Sequence, residues 1–474
     1  MTRREAPLAA AIAFCLLVRL VLVLGFHVAY MAPQGWWQLL DPAVLRADPL
    51  GALYQLHMQP PLFNALDALV LALPPAVSLV GLQALYLACS MAMVALVYFF
   101  LLRFGYRPVA AAVLAAFFGV LPQVLIYENL FFYSHLEATL VLAASWCAVR
   151  YFDERRLRAF LGFSACLIAL ALLRSLFHIV WIAVTLLVIW LAAGRGRDRR
   201  TLGIVAASIA VVSLLYVKNL MEFGFFGTSS WQGLASARMT LPINAGDAER
   251  FPAIARDFDR RIAHGEFSQA ASYAKLNDDS GWAEWVALAH DCGGVEKRPA
   301  LCAVRKGDGT LNLNHIEMVA YSKALGDDML KGLRLYPALF AQHVGSSLIT
   351  FFGTPSWIET PTDPTLQAYA SLWERLLLYR TNLVAVPDWP GDSLAERALN
   401  RFAAASLPLA VLVLAALLVI FHRALFDRDW LFPALVVLLL VIVPNVMNGT
   451  EANRIRYTIE PLLFLALART VIRA

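Results

Sequence analysis

Runs of apolar residues long enough to cross a hydrocarbon layer constrain this chain more than any other feature. A helical crossing takes about 20 predominantly apolar residues. Candidate spans of this kind fall at 8–30, 80–101, 108–126, 133–150, 159–174, 175–193, 201–217, 402–422, 430–447 and 457–472. The 474 residues are 60% hydrophobic and only 15% charged, against about 25% charged in soluble domains. The fold class implied is an all-α polytopic membrane protein with about ten transmembrane helices. The formal net charge of +5 comes from basic residues clustered at run ends. That pattern orients membrane helices and makes no case for nucleic-acid binding.

The clusters at 103–107, 150–158, 195–200 and 423–428 all fall on the cytoplasmic side if Arg3 and Arg4 do. The first run is long, contains Arg19 and lacks a small-x-small cleavage site, so it reads as a retained span rather than a signal peptide. The apolar stretch from Pro61 to Pro74 is short and contains Asp67. A crossing there would flip every later cluster outward, so it is expected to lie at the outer face or dock in the bundle. Residues 1–217 then form an N-terminal transmembrane core with its first outward loop at 31–79. Residues 218–401 form a mostly helical extracytoplasmic region, and 402–474 the C-terminal transmembrane helices. Cys292 and Cys302 lie in that polar middle and could pair if it sits outside the cytoplasm. The other four cysteines lie in apolar runs.

The first outward loop contains Asp41-Pro42 and Asp48-Pro49. Asp followed by Pro marks a helix N-cap with proline in the first turn, so short helices are expected from residues 42 and 49. The aspartates are then caps, which leaves each free to present an oxygen to a ligand. Trp36, Trp37 and the loop's leucines suit the headgroup boundary. His57-Met58-Gln59-Pro60-Pro61-Leu62-Phe63-Asn64 follows, with His57 at a helix end. A lone histidine there can simply be solvated and held by the helix dipole.

Glu128, in Tyr127-Glu128-Asn129, stands at the outward end of the third span among aromatic residues. It reads as a solvated loop residue or as a functional carboxylate near membrane depth. Near the C-terminus, Glu451, Arg454, Arg456, Tyr457, Glu460 and Pro461 precede the last run. Arg454 and Arg456 face outward, where the positive-inside rule disfavours them, so an anionic partner such as a lipid phosphate is expected. Headgroup or acidic-loop pairing is the plainer alternative. Arg174, His178 and Lys218 could complete a phosphate site, and 448–450 spell a glycosylation sequon that chance often produces.

An acidic residue after the first span, followed by His-x-x-Pro-Pro-Leu-x-Asn, resembles the GT-C superfamily. The resemblance is to its family 39-like branch, related to protein O-mannosyltransferases and lipid A aminoarabinose transferases. It covers residues 1–220 and 400–474. In that branch the loop carboxylate is catalytic, and Asp41 matches it by position, with Asp48 in reserve. The family's usual Asp-Glu pair is absent. Glu128 resembles the second acidic site, and the Arg456-Tyr457 to Pro461 string resembles the entrance to the last core helix.

The resemblance implies transfer of a sugar from a polyprenyl-phosphate-linked donor to an acceptor hydroxyl on a lipid, glycan or protein. It implies an outward-facing site in a membrane, most simply the bacterial cytoplasmic membrane. Asp41 would be the general base and Glu128 a catalytic partner. His57, Arg174, Arg454 and Arg456 would hold donor phosphate, with Asp48, Gln59, Asn64 and Tyr457 supporting acceptor and loops. No ligand cluster compels a metal, though Glu128 could assist a divalent cation. The competing readings are a lipid-linked sugar flippase or polymerase, which would line a transit cavity with basic residues, and a non-catalytic scaffold. A solute transporter would show inverted repeats, and none is found.

Overall fold

The computed structural model describes residues 5–26, 39–194, 199–244, 246–275, 279–287, 292, 294, 297–352, 407–447 and 452–472. Among these the architecture is all helical, with one isolated bridge between Arg305 and Leu311. Four helices are long and apolar enough to cross a membrane: Glu5–Gly25, Val77–Phe104, Arg199–Phe223 and Arg428–Met447. A fifth candidate is a pair, Pro108–Gly119 and Pro122–Glu128, bent by 57° at its break. Leu157–Leu173, Ile179–Ala192 and Ala410–Ala424 are apolar but shorter. Large apolar side chains point outward from these helices, among them Leu24, Val80, Val109, Leu214 and Leu418. Water does not tolerate a belt of that extent on a monomer, whereas lipid matches it. The chain is a helical membrane protein.

The helices used below are α1 (Glu5–Phe26), α2 (Pro42–Ala47), α3 (Pro49–Gln55), α4 (Pro61–Leu71), α5 (Pro75–Phe104), α6 (Pro108–Gly119), α7 (Pro122–Glu128), α8 (Tyr133–Glu154) and α9 (Leu157–Leu173). All but α2 and α3 pack with the C-terminal helices Leu407–Ala424, Leu431–Met447 and Glu460–Val471 around one large apolar core, while α2 and α3 close a small cluster of Leu40, Leu45, Ala52 and Leu56 with Ala300. A second core lies in the central region and is built from Leu234, Phe258, Phe267, Leu325 and Leu339, among others. Met58 of the first loop belongs to this second core. The loop therefore sits at the seam between the apolar bundle and the central region.

Both expected Asp-Pro caps form. Asp41 Oδ1 accepts from the Ala43 amide at 2.8 Å, and Asp48 Oδ1 from the Gly51 amide at 2.9 Å. The 61–74 stretch docks in the bundle. Helix α4 has 11 residues and buries Phe63, Asn64 and Asp67, and at ~1.5 Å per residue it is about half a membrane thick. Cys292 and Cys302 form a disulfide with Cα atoms 5.7 Å apart. Trp36, Trp37, the 448–450 sequon and Glu451 lie outside the described residues.

Candidate active site

The break between α6 and α7 positions the first constellation. Ending a helix inside lipid strands its last carbonyls. Arg19 of α1 answers this, donating from Nη2 to the Gly119 carbonyl at 2.9 Å. The same guanidinium grips Glu128, from Nε at 2.8 and 2.9 Å and from Nη2 at 2.6 Å. Glu128 is buried, so the solvated-loop reading of this residue does not hold. The α6–α7 bend turns its carboxylate into the bundle. The Ser90 hydroxyl donates to Glu128 and lies 3.0 Å from His135 Nε2. His135 Nδ1 lies 2.9 Å from the Tyr457 hydroxyl. Arg19, Glu128, Ser90, His135 and Tyr457 thus form one buried chain of hydrogen bonds linking the first helix to the last.

A second constellation begins next door. The Tyr457 ring stacks on Tyr127 with centroids 4.0 Å apart. Arg174 lies 5.0 Å and Arg454 5.4 Å from the centroid of the Tyr133 ring, and Arg454 also sits 4.4 Å from that of Phe132. Arg174, Arg454, Arg456 and Glu460 all lie within electrostatic range of Tyr127. Arg174 pairs with Glu137 Oε2 at 3.1 Å, which also accepts from Thr458 Oγ1 at 3.0 Å. Arg456 donates to Glu460 Oε1 at 2.8 Å and to the Phe351 carbonyl at 2.5 Å. Three arginines from segments some 280 residues apart are therefore buried together. Arg456 Nη2, Glu137 Oε1 and the Tyr127 hydroxyl are buried there with no hydrogen-bond partner among the described residues. Buried polar atoms are normally satisfied, so this set is arranged for a further polar group.

The first loop touches this arginine cluster through α4. The Leu40 amide donates to Asn64 Oδ1 at 2.8 Å. The neighbouring Phe63 ring packs against Phe131, Phe132 and Tyr133, with centroids 4.8, 6.0 and 5.6 Å away. Asp41 follows Leu40 directly and is half-buried, and its Oδ2 accepts from the Gly307 amide at 2.6 Å. Asp48 is exposed, and its Oδ1 serves the cap to the Gly51 amide. Gln59 is half-buried beside His57.

His57 stands apart from the arginines. Its Nδ1 lies 2.8 Å from Ser230 Oγ, its amide donates to Asn314 Oδ1 at 2.9 Å, and its ring packs on Phe223. It is fully buried, not solvated, because residues from 230 and 314 close over it. Burial, with Lys218 nearby, pulls its pKa down to about 3, so the imidazole is neutral and offers phosphate no charge. Lys218 donates to the carbonyls of Tyr54 and Leu56, and His178 is the N-cap of Ile179–Ala192. Neither contacts the arginine cluster through these bonds.

Sequence reasoning passed over Glu137, His135, Asp67 and Lys306 as site residues. Glu137 and His135 are ionisable residues inside an apolar run, which is itself a functional signal. Asp67 and Lys306 meet only through the fold. Burial lifts the Asp67 carboxyl to about 6 and lowers the Lys306 ammonium to about 8, with Asp308, Asp41 and Asp67 drawing it back up. Among the described residues, no group of three or more His, Cys, Asp or Glu side chains is placed to hold a metal ion.

Compared with known proteins, the chain matches no family model, no curated protein and no solved structure.

Proposed function

We propose that this chain is a membrane-embedded glycosyltransferase of GT-C type, with about ten spans, that takes its sugar from a polyprenyl phosphate. One observation carries the reading: Arg174, Arg454 and Arg456 converge around Tyr127 and Tyr133, with Arg456 Nη2 and the Tyr127 hydroxyl buried and without hydrogen-bond partners among the described residues. Guanidinium groups fixed by carboxylates and aromatic faces bind phosphate oxygens without reorganising. The cluster adjoins the loop that carries Asp41, through Asn64 and Phe63.

In this reading the arginines hold the donor phosphate and stabilise its charge as it leaves. The acceptor hydroxyl forms its bond to the anomeric carbon as the carbon–phosphate oxygen bond breaks. Asp41 takes the hydroxyl proton, and one such base suffices for inverting transfer to an acceptor. Its two oxygens each accept one backbone N–H, which orients the carboxylate and leaves lone pairs for that proton. Glu128 supports the bundle side of the site through Arg19 and the Ser90–His135–Tyr457 chain. The outward-facing placement accords with the Cys292–Cys302 disulfide, since such bonds persist outside the cytoplasm.

The same buried arginines also suit a protein that moves a lipid-linked sugar without chemistry. Asp41→Asn and Arg456→Met separate the two. Purified protein is given a radiolabelled polyprenyl-phosphate sugar pool and membrane acceptors. Loss of transfer in both variants, with folding kept, supports the transferase. Donor translocation by wild type and Asp41→Asn alike, with no transfer by either, supports the carrier.

A further inference from the structure

Between the end of the helix Arg199–Phe223 and two helices of the central region, α10 (Gln232–Thr240) and α11 (Glu317–Leu335), lies a cavity of about 690 Å³. Its size is that of a small-molecule site, about 300–1,000 Å³. Its walls are fixed. Gly233 packs backbone against backbone on α11, where an added Cβ would fall 1.7 Å from the Ser322 carbonyl oxygen. Gly224 turns the chain with φ +73°, and Asn219 Nδ2 holds the Gly227 carbonyl at 2.6 Å. Ser229 Oγ donates to the Met58 carbonyl at 2.5 Å, and the Ser230 amide to the His57 carbonyl at 2.9 Å.

The lining divides by chemistry. Phe223 and Met447 end apolar helices and Phe225 and Phe226 lie in the turn after the first, while Gln232, Ser236, Lys323 and Asp327 belong to α10 and α11. With Glu317 included, one lysine faces two carboxylates. This is the opposite of the arginine cluster and repels a phosphate. Aromatic faces beside hydroxyl, amide and carboxylate groups suit the C–H faces and hydroxyls of a neutral sugar. Placement where a spanning helix leaves the membrane suits an attached apolar chain.

We propose that this groove binds the acceptor, and that the acceptor is a lipid with a neutral, hydroxylated saccharide head. The word acceptor rests on the glycosyltransferase reading; the glycolipid site does not. The groove's serine wall is bonded to His57-Met58, which leads directly into α4 and its contact with Leu40 beside Asp41. Occupancy therefore bears on the loop that carries the base. It also gives the outward region a task that the donor site leaves open.

The test uses the full chain in lipid nanodiscs and a decyl glucoside carrying a diazirine in its alkyl chain. The control is the same photoreactive chain on a phosphocholine head. The glucoside is expected to label peptides spanning 223–236 and 316–329, and the control is not. Ala320→Trp, at an exposed position on the cavity wall, is expected to abolish the label while thermal unfolding is unchanged. Equal labelling by both probes, labelling elsewhere, or full labelling of Ala320→Trp overturns the proposal. Donor turnover by wild type is read in parallel. Glucoside labelling with no donor turnover under any donor pool leaves a glycolipid site and removes the glycosyltransferase reading. Donor turnover without glucoside-specific labelling does the reverse.

Discussion

Asp67 offers a test of whether this loop region carries charge at a cost to stability. The residue lies on α4, 6% exposed, and its carboxyl is lifted from 3.8 to about 6 by burial, with Arg46 and Lys306 opposing the rise. A pKa raised on folding means that the folded state disfavours the carboxylate. Between pH 3.8 and about 6 the folded protein holds more protons than the unfolded chain, so stability falls as pH rises through that window. At ~1.4 kcal/mol per pH unit, the full cost above about pH 6 is about 3 kcal/mol. Asp67→Asn removes the titration. The variant is expected to gain about 2.4 kcal/mol relative to wild type on going from pH 4 to pH 7, since the wild-type cost has already begun at pH 4. Comparing the two pH values cancels whatever the amide itself does to packing. Thermal unfolding in one detergent at both pH values, followed by tryptophan fluorescence, measures it. A wild-type-minus-variant difference that is the same at pH 4 and pH 7 refutes the reasoning.

Other expectations follow from the buried pairs and the disulfide. Glu128→Gln strands Arg19 and should destabilise by about 3–5 kcal/mol, whereas Arg19→Met with Glu128→Leu should recover most of that loss; chemical unfolding of the single and double variants measures the coupling. Arg456→Lys keeps the charge but loses the forked geometry, so donor KM should rise about tenfold or more while the fold persists, as read in steady-state transfer kinetics. Cys302→Ser opens the short loop from Cys292 and should cost the outward region about 3 kcal/mol. In intact cells a membrane-impermeant reductant should expose both thiols of the native disulfide to maleimide, and protection from it would place the region on the cytoplasmic side.

What could be read from sequence followed from short-range physics. Asp-Pro dictated both caps in the first loop, and charge parity left 61–74 either at the outer face or docked in the bundle, of which the packing of α4 shows the second. The failures share one cause. His57 looks like a solvated helix end because the residues that bury it, Ser230 and Asn314, stand 173 and 257 positions away. Glu128 looks like a loop glutamate because its burial depends on the 57° bend and on Arg19, 109 positions upstream. Composition also understated the polar interior. Arg19 was the one mid-span charge that stood out, yet His135 and Glu137 are fully buried in the same bundle. The arginine pattern near the C-terminus was legible as a cation set, but its convergence with Arg174 required the fold.

In the glycosyltransferase proposed above, the two buried constellations would divide the work of the site. Arg19 and Glu128 neutralise each other, and Arg19 also satisfies the Gly119 carbonyl left by the helix break. That pair holds a bend which lipid would otherwise make expensive. The bend delivers Tyr127 to the stack on Tyr457 and, through the turn after α7, Tyr133 to the arginines. The arginine cluster, by contrast, keeps atoms of Arg456, Glu137 and Tyr127 unanswered among the described residues. A satisfied scaffold beside an unsatisfied cation set is what binding of an anion at membrane depth requires, because the cost of desolvating those groups is met by the fold before the ligand arrives. On the proposed reading, the break between α6 and α7 belongs to the site as much as the arginines do. Filling the break, as in Leu121→Ala with Pro122→Ala, should straighten α6 and α7, withdraw Tyr127 from Tyr457 and abolish donor binding. Retained donor binding in a straightened span would detach the bend from the site.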